Sequence, residues 1–245
     1  MEEVTERFFQ IEGEWNCLHL PEKPNGFGIF IIGDRNNYVE SKSSYWLEHY
    51  GRRKLLNSLR SNGYTLFNSN LYGRHWGSPD AVLLAKQLYH LVMKQEILNK
   101  KIHILSEGMG ALIALRLMEE IPEHIRSTAM MNPCLDITAH LQQEKENKFF
   151  YKQLIKELSL AYKLDESEVS QYSFAQIDDF QATIPVRIWQ RMNGGDYAYT
   201  LHSKKYEELR KHINAPIQLT FHFSEDFDRI QQMIKHFFKE HEKIL

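Results

Sequence analysis

The stretch from Lys101 to Asp136, KIHILSEGMGALIALRLMEEIPEHIRSTAMMNPCLD, constrains the fold more than any other part of the chain. Ile102, Ile104 and Leu105 have the apolar density of a short strand. Ser106-Glu107-Gly108-Met109-Gly110 reads as a sharp turn, and Ala111 to Glu120 carries apolar residues at helical spacing. Thr128 to Asn132 then reads as a second strand. A strand, tight turn, helix and strand in this order belong to a parallel sheet covered by helices.

The alternation runs through most of the chain. Glu6 to Leu20 reads as two short strands joined at Gly13, and Phe27 to Ile32 is a continuous apolar run suited to a strand covered on both faces. Ser43 to Ser61 has Trp46, Leu47, Tyr50, Leu55, Leu56 and Leu59 on roughly one face, which predicts one helix weakened by Gly51. Tyr64 to Phe67 is the next strand. Ser78-Pro79-Asp80 then opens a helix reaching about Ile97, with serine as N-cap and proline in the first turn. Residues 136–184 hold helical patterns and no strand. Pro185 to Met192 and Ile217 to Phe223 supply two more strands, followed by helices over Leu201 to Lys211 and Asp226 to Glu240. Ligand sites in such folds lie on loops at the carboxyl ends of the strands. The loops expected to form the site are therefore 33–37, 70–78, 106–110 and 193–197.

Composition excludes several classes. Of 245 residues, 42% are hydrophobic and 25% charged, ordinary for a globular chain of one α/β unit, so a single domain over 1–245 is expected. A net charge of −2 argues against nucleic acid as a partner. No apolar run approaches the ~20 residues that span a bilayer, so no membrane partner is expected either. The N-terminal MEEVTERFFQ lacks the apolar core of a signal peptide. Cys17 and Cys134 form no C-x-x-C pair and read as buried hydrophobes, consistent with a reducing, cytoplasmic setting. No H-x-H or H-E-x-x-H spacing suggests a metal, and no G-x-G-x-x-G or P-loop suggests a nucleotide, so no cofactor is expected.

The turn at 106–110 has the strand–turn–helix geometry of a G-x-S-x-G nucleophile elbow. With the order of elements, it resembles the α/β-hydrolase family over about Phe27 to Leu245. That resemblance implies an α/β three-layer sandwich, a mostly parallel doubly wound sheet, and a helical cap at about 136–184 above an active site. Laid on the motif, Ser106 takes the first glycine, Gly108 takes the nucleophilic serine and Gly110 takes the last glycine. The family's acid follows the seventh strand, where Asn193-Gly194-Gly195-Asp196 offers Asp196, with Asn193 in place of the usual glycine. Its histidine follows the last strand, where the chain reads Ser224-Glu225-Asp226-Phe227; His222 lies inside the strand. A triad needs a nucleophile, a base and an orienting acid, and two of the three are missing.

The remaining candidates form three groups. Ser106 as a displaced nucleophile, Asp196 as the acid and His75 with an ordered water would carry any surviving catalysis; Ser106 also reads as a helix cap and Asp196 as a turn residue. Gly108, Met109 and Gly110 open a helix whose dipole favours an anion or polarised oxygen, and Gly33 and Asp34 resemble in position the family's second oxyanion segment. Arg35, Tyr72, Arg74, Trp76 and Glu107 are ligand-pocket candidates, although the LYGRHWGS loop reads equally as a rigid segment packed under the cap. The expectation is a catalytically degenerate hydrolase-like protein that binds a small molecule or a protein. The alternative is an active esterase-like hydrolase with a displaced nucleophile or a water-mediated mechanism.

Overall fold

The computed structural model describes residues 5–193, 195–223 and 227–242. β1 (Glu6–Ile11) and β2 (Glu14–His19) form a hairpin turning at Gly13, whose φ of +84° suits a residue without a Cβ. The other strands are β3 (Gly28–Ile32), β4 (Thr65–Ser69), β5 (Ile102–Glu107), β6 (Ile125–Met131), β7 (Val186–Arg191) and β8 (Ile217–His222). They build one eight-stranded sheet in the order β1-β2-β4-β3-β5-β6-β7-β8. β2 pairs antiparallel with β1 and with β4, and all later pairs are parallel.

Every residue of β3, β4, β5 and β6 is buried, the pattern of strands covered on both faces. Alternate side chains therefore feed two separate cores. Phe30 and Ile32 point to the core shared with α3 (Pro79–Gln95), α4 (Gly110–Glu120) and α8 (Ser203–His212). Ile29 and Ile31 point to the core shared with α2 (Tyr50–Ser61) and α9 (Phe227–Glu240). Leu55, Leu56 and Leu59 of α2 and Ile234 and Phe238 of α9 have no exposed surface. Each such side chain contributes about 1.5–3 kcal/mol by leaving water.

Between β6 and β7 lie α5 (Ile137–Glu144), α6 (Lys148–Tyr162) and α7 (Glu166–Val169). They enclose a third apolar cluster, in which Leu154, Leu158 and Val169 pack on Trp76, Met109 and Leu112. The cap thus sits directly over the turn at Gly108.

Four local expectations need correction. The helix over Ser43 to Ser61 is two, α1 (Tyr45–Glu48) and α2, broken at His49 rather than Gly51. His49 is extended, with ψ 119°, and its ring accepts from Arg52 N at 3.5 Å, so it caps α2 instead of continuing α1. β6 begins at Ile125, three residues before the expected strand, and ends before Asn132, whose φ is +43°. Ser78 precedes α3 as expected, but its side chain makes no capping hydrogen bond. Ser106 caps nothing: it lies inside β5, fully buried, and its hydroxyl donates to Ala129 O at 3.5 Å. The expected loop at Ser224–Asp226 and the glycine at 194 lie outside the described residues. Among the described residues no helix is long and apolar enough to cross a membrane.

Candidate functional site

The carboxyl ends of β3 and β5 bring Gly33, Asp34, Gly108, Met109 and Gly110 together. Gly108, at the turn from β5 to α4, has φ +47°, the strained tip that a nucleophile elbow requires. At Gly110 a Cβ would lie 2.4 Å from Ile32 O, so glycine is needed for α4 to approach β3. The Asp34 carboxylate reaches across to the same turn. Its Oδ1 accepts from Met109 N at 2.9 Å and from the Tyr197 hydroxyl at 2.9 Å. A Cβ on Gly108 would lie 2.1 Å from Asp34 Cγ, so the carboxylate fills the space that a side chain at 108 would need.

The backbone groups of the turn are spent as well. Gly108 N donates to Met131 O at 3.1 Å, and Gly108 O accepts from Cys134 N at 2.9 Å. Two of the three N–H groups expected to face a ligand are thus engaged inside the protein. Burial, and then the Asp34 carboxylate, push both the Tyr197 phenol and the Cys134 thiol well above their ordinary values. Tyr197 therefore stays a donor to Asp34, and Cys134 stays a neutral thiol with no nucleophilic character.

Beyond this turn the strand ends border two adjoining spaces, of about 230 Å³ and 330 Å³. Arg52, Glu107, Met131, Asn132 and Arg191 line both. Asp34, Gly108 and Asp196 line the first, and His222, at the last position of β8, lines the second. Arg52 forks onto Glu107, with Nη2 2.7 Å and Nε 3.1 Å from Oε1. Burial works against the Arg52 charge, but Glu107 outweighs it and holds the guanidinium above its ordinary pKa. Asn132 takes its left-handed conformation so that Oδ1 accepts from Arg191 N at 2.5 Å.

The other expected residues fall elsewhere. Ser106 is sealed in the sheet. His75 lines a separate outer cleft of about 650 Å³ with Tyr72 and Arg74, between the loop at 71–78 and α6. Its Nδ1 accepts from Gly77 N at 3.1 Å, and burial lowers its pKa to about 3, so it is a neutral loop brace. Ser106, Asp196 and His75 thus lie in three different environments. Trp76 is fully buried; Nε1 donates to Glu157 Oε2 at 2.9 Å, and its ring stacks on His140. Arg35 lies over the Trp76 ring at 5.9 Å. Of the pocket candidates, only Glu107 faces the strand-end cleft. Among the described residues no group of three or more His, Cys, Asp or Glu is placed to hold a metal ion.

Arg52, Asn132, Arg191 and Tyr197 were not expected. Arg187, Trp189 and Arg191 alternate along β7, a two-residue period that signals one shared face. That signal could have directed Arg191 toward the cleft. Arg52 carries no comparable signal, because it reaches Glu107 only once α2 has docked.

His140, on α5, is packed among Trp76, Tyr197 and His202, and neither ring nitrogen has a hydrogen-bond partner among the described residues. Burial, and then Arg35, lower its pKa to about 4. Above the ordinary value of about 6.5 both folded and unfolded chains carry it neutral; below that, only the unfolded chain takes up the proton. Its share of stability is therefore lost as pH falls from about 6.5 to about 4, by about 1.4 kcal/mol per pH unit. Urea unfolding between pH 7 and 5 is expected to show a shallower acid slope in His140→Phe than in the wild type. Equal slopes would mean that His140 is protonated in the fold.

No family model matches the chain, and no curated protein matches its sequence. Solved structures do match. Est1E from Butyrivibrio proteoclasticus is 14% identical with a TM-score of 0.65, over 97% of this chain and 98% of that one. The Pyrococcus furiosus esterase Pf2001 is 14% identical with a TM-score of 0.66, over 97% and 91%. Proline iminopeptidase from Mycobacterium smegmatis is 11% identical with a TM-score of 0.61, over 96% and 98%. With the strand order and the strained turn, these likenesses define the architecture. The chain has the α/β-hydrolase fold.

Proposed function

We propose that this protein uses the hydrolase scaffold to bind a small molecule in the strand-end cleft, with its elbow closed to serine chemistry. One observation supports the reading above the others: the Asp34 carboxylate fills the space beside Gly108 and takes the Met109 N–H that would otherwise face a ligand oxygen. An acyl-transfer mechanism needs a nucleophile on the strained turn and free donors for the developing oxyanion. Here the turn carries a hydrogen, and the donor is satisfied by an internal acceptor. The sealed Ser106, the neutral His75 and the buried, protonated Cys134 offer no substitute. The adjoining cleft remains open and polar, lined by Arg52, Glu107, Asn132 and Arg191.

A panel of short and medium p-nitrophenyl esters, with a fluorophosphonate probe alongside, tests this directly. Background hydrolysis and no labelling are expected for the wild type, Ser106→Ala and Asp196→Asn alike. Wild-type turnover that disappears in both variants would overturn the reading and establish the alternative, an esterase-like hydrolase with a displaced nucleophile.

A further inference from the structure

Among the described residues lining the cleft, Arg52 and Lys54 are paired with acids, whereas Asp34, Asp196 and Arg191 have no ion pair, and Arg191 is the arginine among those three. Glu107 is forked by Arg52, and Asp228 holds Lys54 with both carboxylate oxygens 2.7 Å away. Asp34 is satisfied by Met109 N and Tyr197. Asp196, on the rim of the smaller space, is exposed to water. Arg191 lines both spaces and has no ion pair among the described residues, and its Nε is buried without a hydrogen-bond partner. A buried donor without an acceptor is unfavourable, and a guanidinium in that condition is matched by a planar or tetrahedral anion bonded to two of its N–H groups.

Two neighbours of Arg191, Asn132 and Tyr45, add donors beside it. Asn132 spends Oδ1 on Arg191 N, which orients its amide and leaves Nδ2 at the cleft. Tyr45 lines the smaller space, and burial raises its pKa, so it too is a donor there. His222 lines the larger space at the β8 end, with its Nδ1 3.0 Å from Phe223 O. The cleft lies over β5 to β8, at the carboxyl ends of parallel strands, where this class of sheet binds ligands.

We propose that the cleft binds a small anion, a carboxylate or a phosphate, on the Arg191 guanidinium, with Asn132 and Tyr45 as further donors. The proposal rests on the small-molecule reading above and supplies its ligand chemistry. The two sources of such an anion are separated by the probes. Succinate and inorganic phosphate are titrated into the purified protein at constant ionic strength, with chloride as the control, and binding is read by thermal shift and calorimetry.

At least one of the two is expected to raise the midpoint of the wild type beyond the chloride control. Binding by succinate alone identifies a carboxylate ligand, and binding by phosphate alone a phosphoryl one. Arg191→Gln is expected to weaken that binding on the order of tenfold or more. Arg191→Lys, which keeps the charge but not the fork, should recover some of it. Arg53→Gln, at an exposed arginine on the same helix as Arg52, should bind as the wild type does. The proposal is overturned if neither anion exceeds chloride, or if the binding anion shifts Arg191→Gln and wild type equally. Because anion binding and ester turnover are read separately, the failures are distinguishable. Turnover with anion binding intact removes the closed-elbow reading and leaves Arg191 as an anchor. Background turnover without anion binding removes only the Arg191 site.

Discussion

Gly108→Ala is expected to lower the unfolding free energy by about 2–4 kcal/mol, the sum of overpacking against a fixed neighbour and a Cβ at positive φ. The overpacking is local and its partner is known: the new atom would fall 2.1 Å from Asp34 Cγ. Asp34→Ala alone leaves the Met109 N–H and the Tyr197 hydroxyl without their acceptor, at a cost of about 1–3 kcal/mol. The double variant carries the inference. With the carboxylate gone the Cβ has room, and the cost of Gly108→Ala should fall to the conformational component, about 1 kcal/mol. Urea denaturation of the four proteins gives the coupling. If the two single costs simply add, within about 0.5 kcal/mol, then Asp34 does not hold the space beside Gly108.

The second large effect concerns the cap. Trp76 is fully buried at φ +44° and ties its loop to two cap helices by three contacts: Nε1 donates to Glu157 on α6, its carbonyl accepts from Tyr162 of α6 at 2.9 Å, and its ring stacks on His140 of α5. Glu157 is also the acceptor for Arg74 and, at 2.8 Å, for Gln153. Trp76→Ala should destabilise the protein by about 3–5 kcal/mol, the usual cost of emptying a core tryptophan site. Trp76→Phe keeps the ring and removes one donor, and should cost about 1–2 kcal/mol. Because the lost contacts hold the cap down, limited proteolysis of Trp76→Ala should begin within α5 to α7. Cleavage starting elsewhere, or a cost below about 1 kcal/mol, would show that the cap is anchored by other contacts.

How much of this was legible in the chain follows from the range of the interactions involved. All eight strands and the long helices were readable, because apolar period and turn residues act over a few neighbours. The break at His49 was not, since α1 and α2 are each favourable and the break depends on a side-chain cap. The elbow, with Gly108 at its tip and Gly110 behind it, was legible because a motif carries its own backbone geometry. The partner of Gly108 was not: Asp34 lies 74 residues earlier and meets the turn only after β3 and β5 pair. The aromatic loop at 71–78 was visible as a cluster, but composition alone could not separate ligand recognition from packing. Trp76 packs, Tyr72 and Arg74 line the outer cleft, and His75, which is buried, borders that cleft while bracing the loop. Arg52 and Arg191 were not legible because an arginine acquires meaning from its acceptor: Glu107 is remote in sequence from Arg52, and Arg191 has no ion pair among the described residues.

The strand order has a consequence for how the chain is made. Once β4 has slotted between β2 and β3, each later strand joins the sheet beside the strand synthesised immediately before it, apart from β5, which joins at β3. β5, β6, β7 and β8 are therefore laid down on a single advancing border, and none has to push between neighbours that are already paired. The sheet can grow in the order in which the polypeptide leaves the ribosome. The cap enters between β6 and β7, after the turn at Gly108 that it covers has already been made.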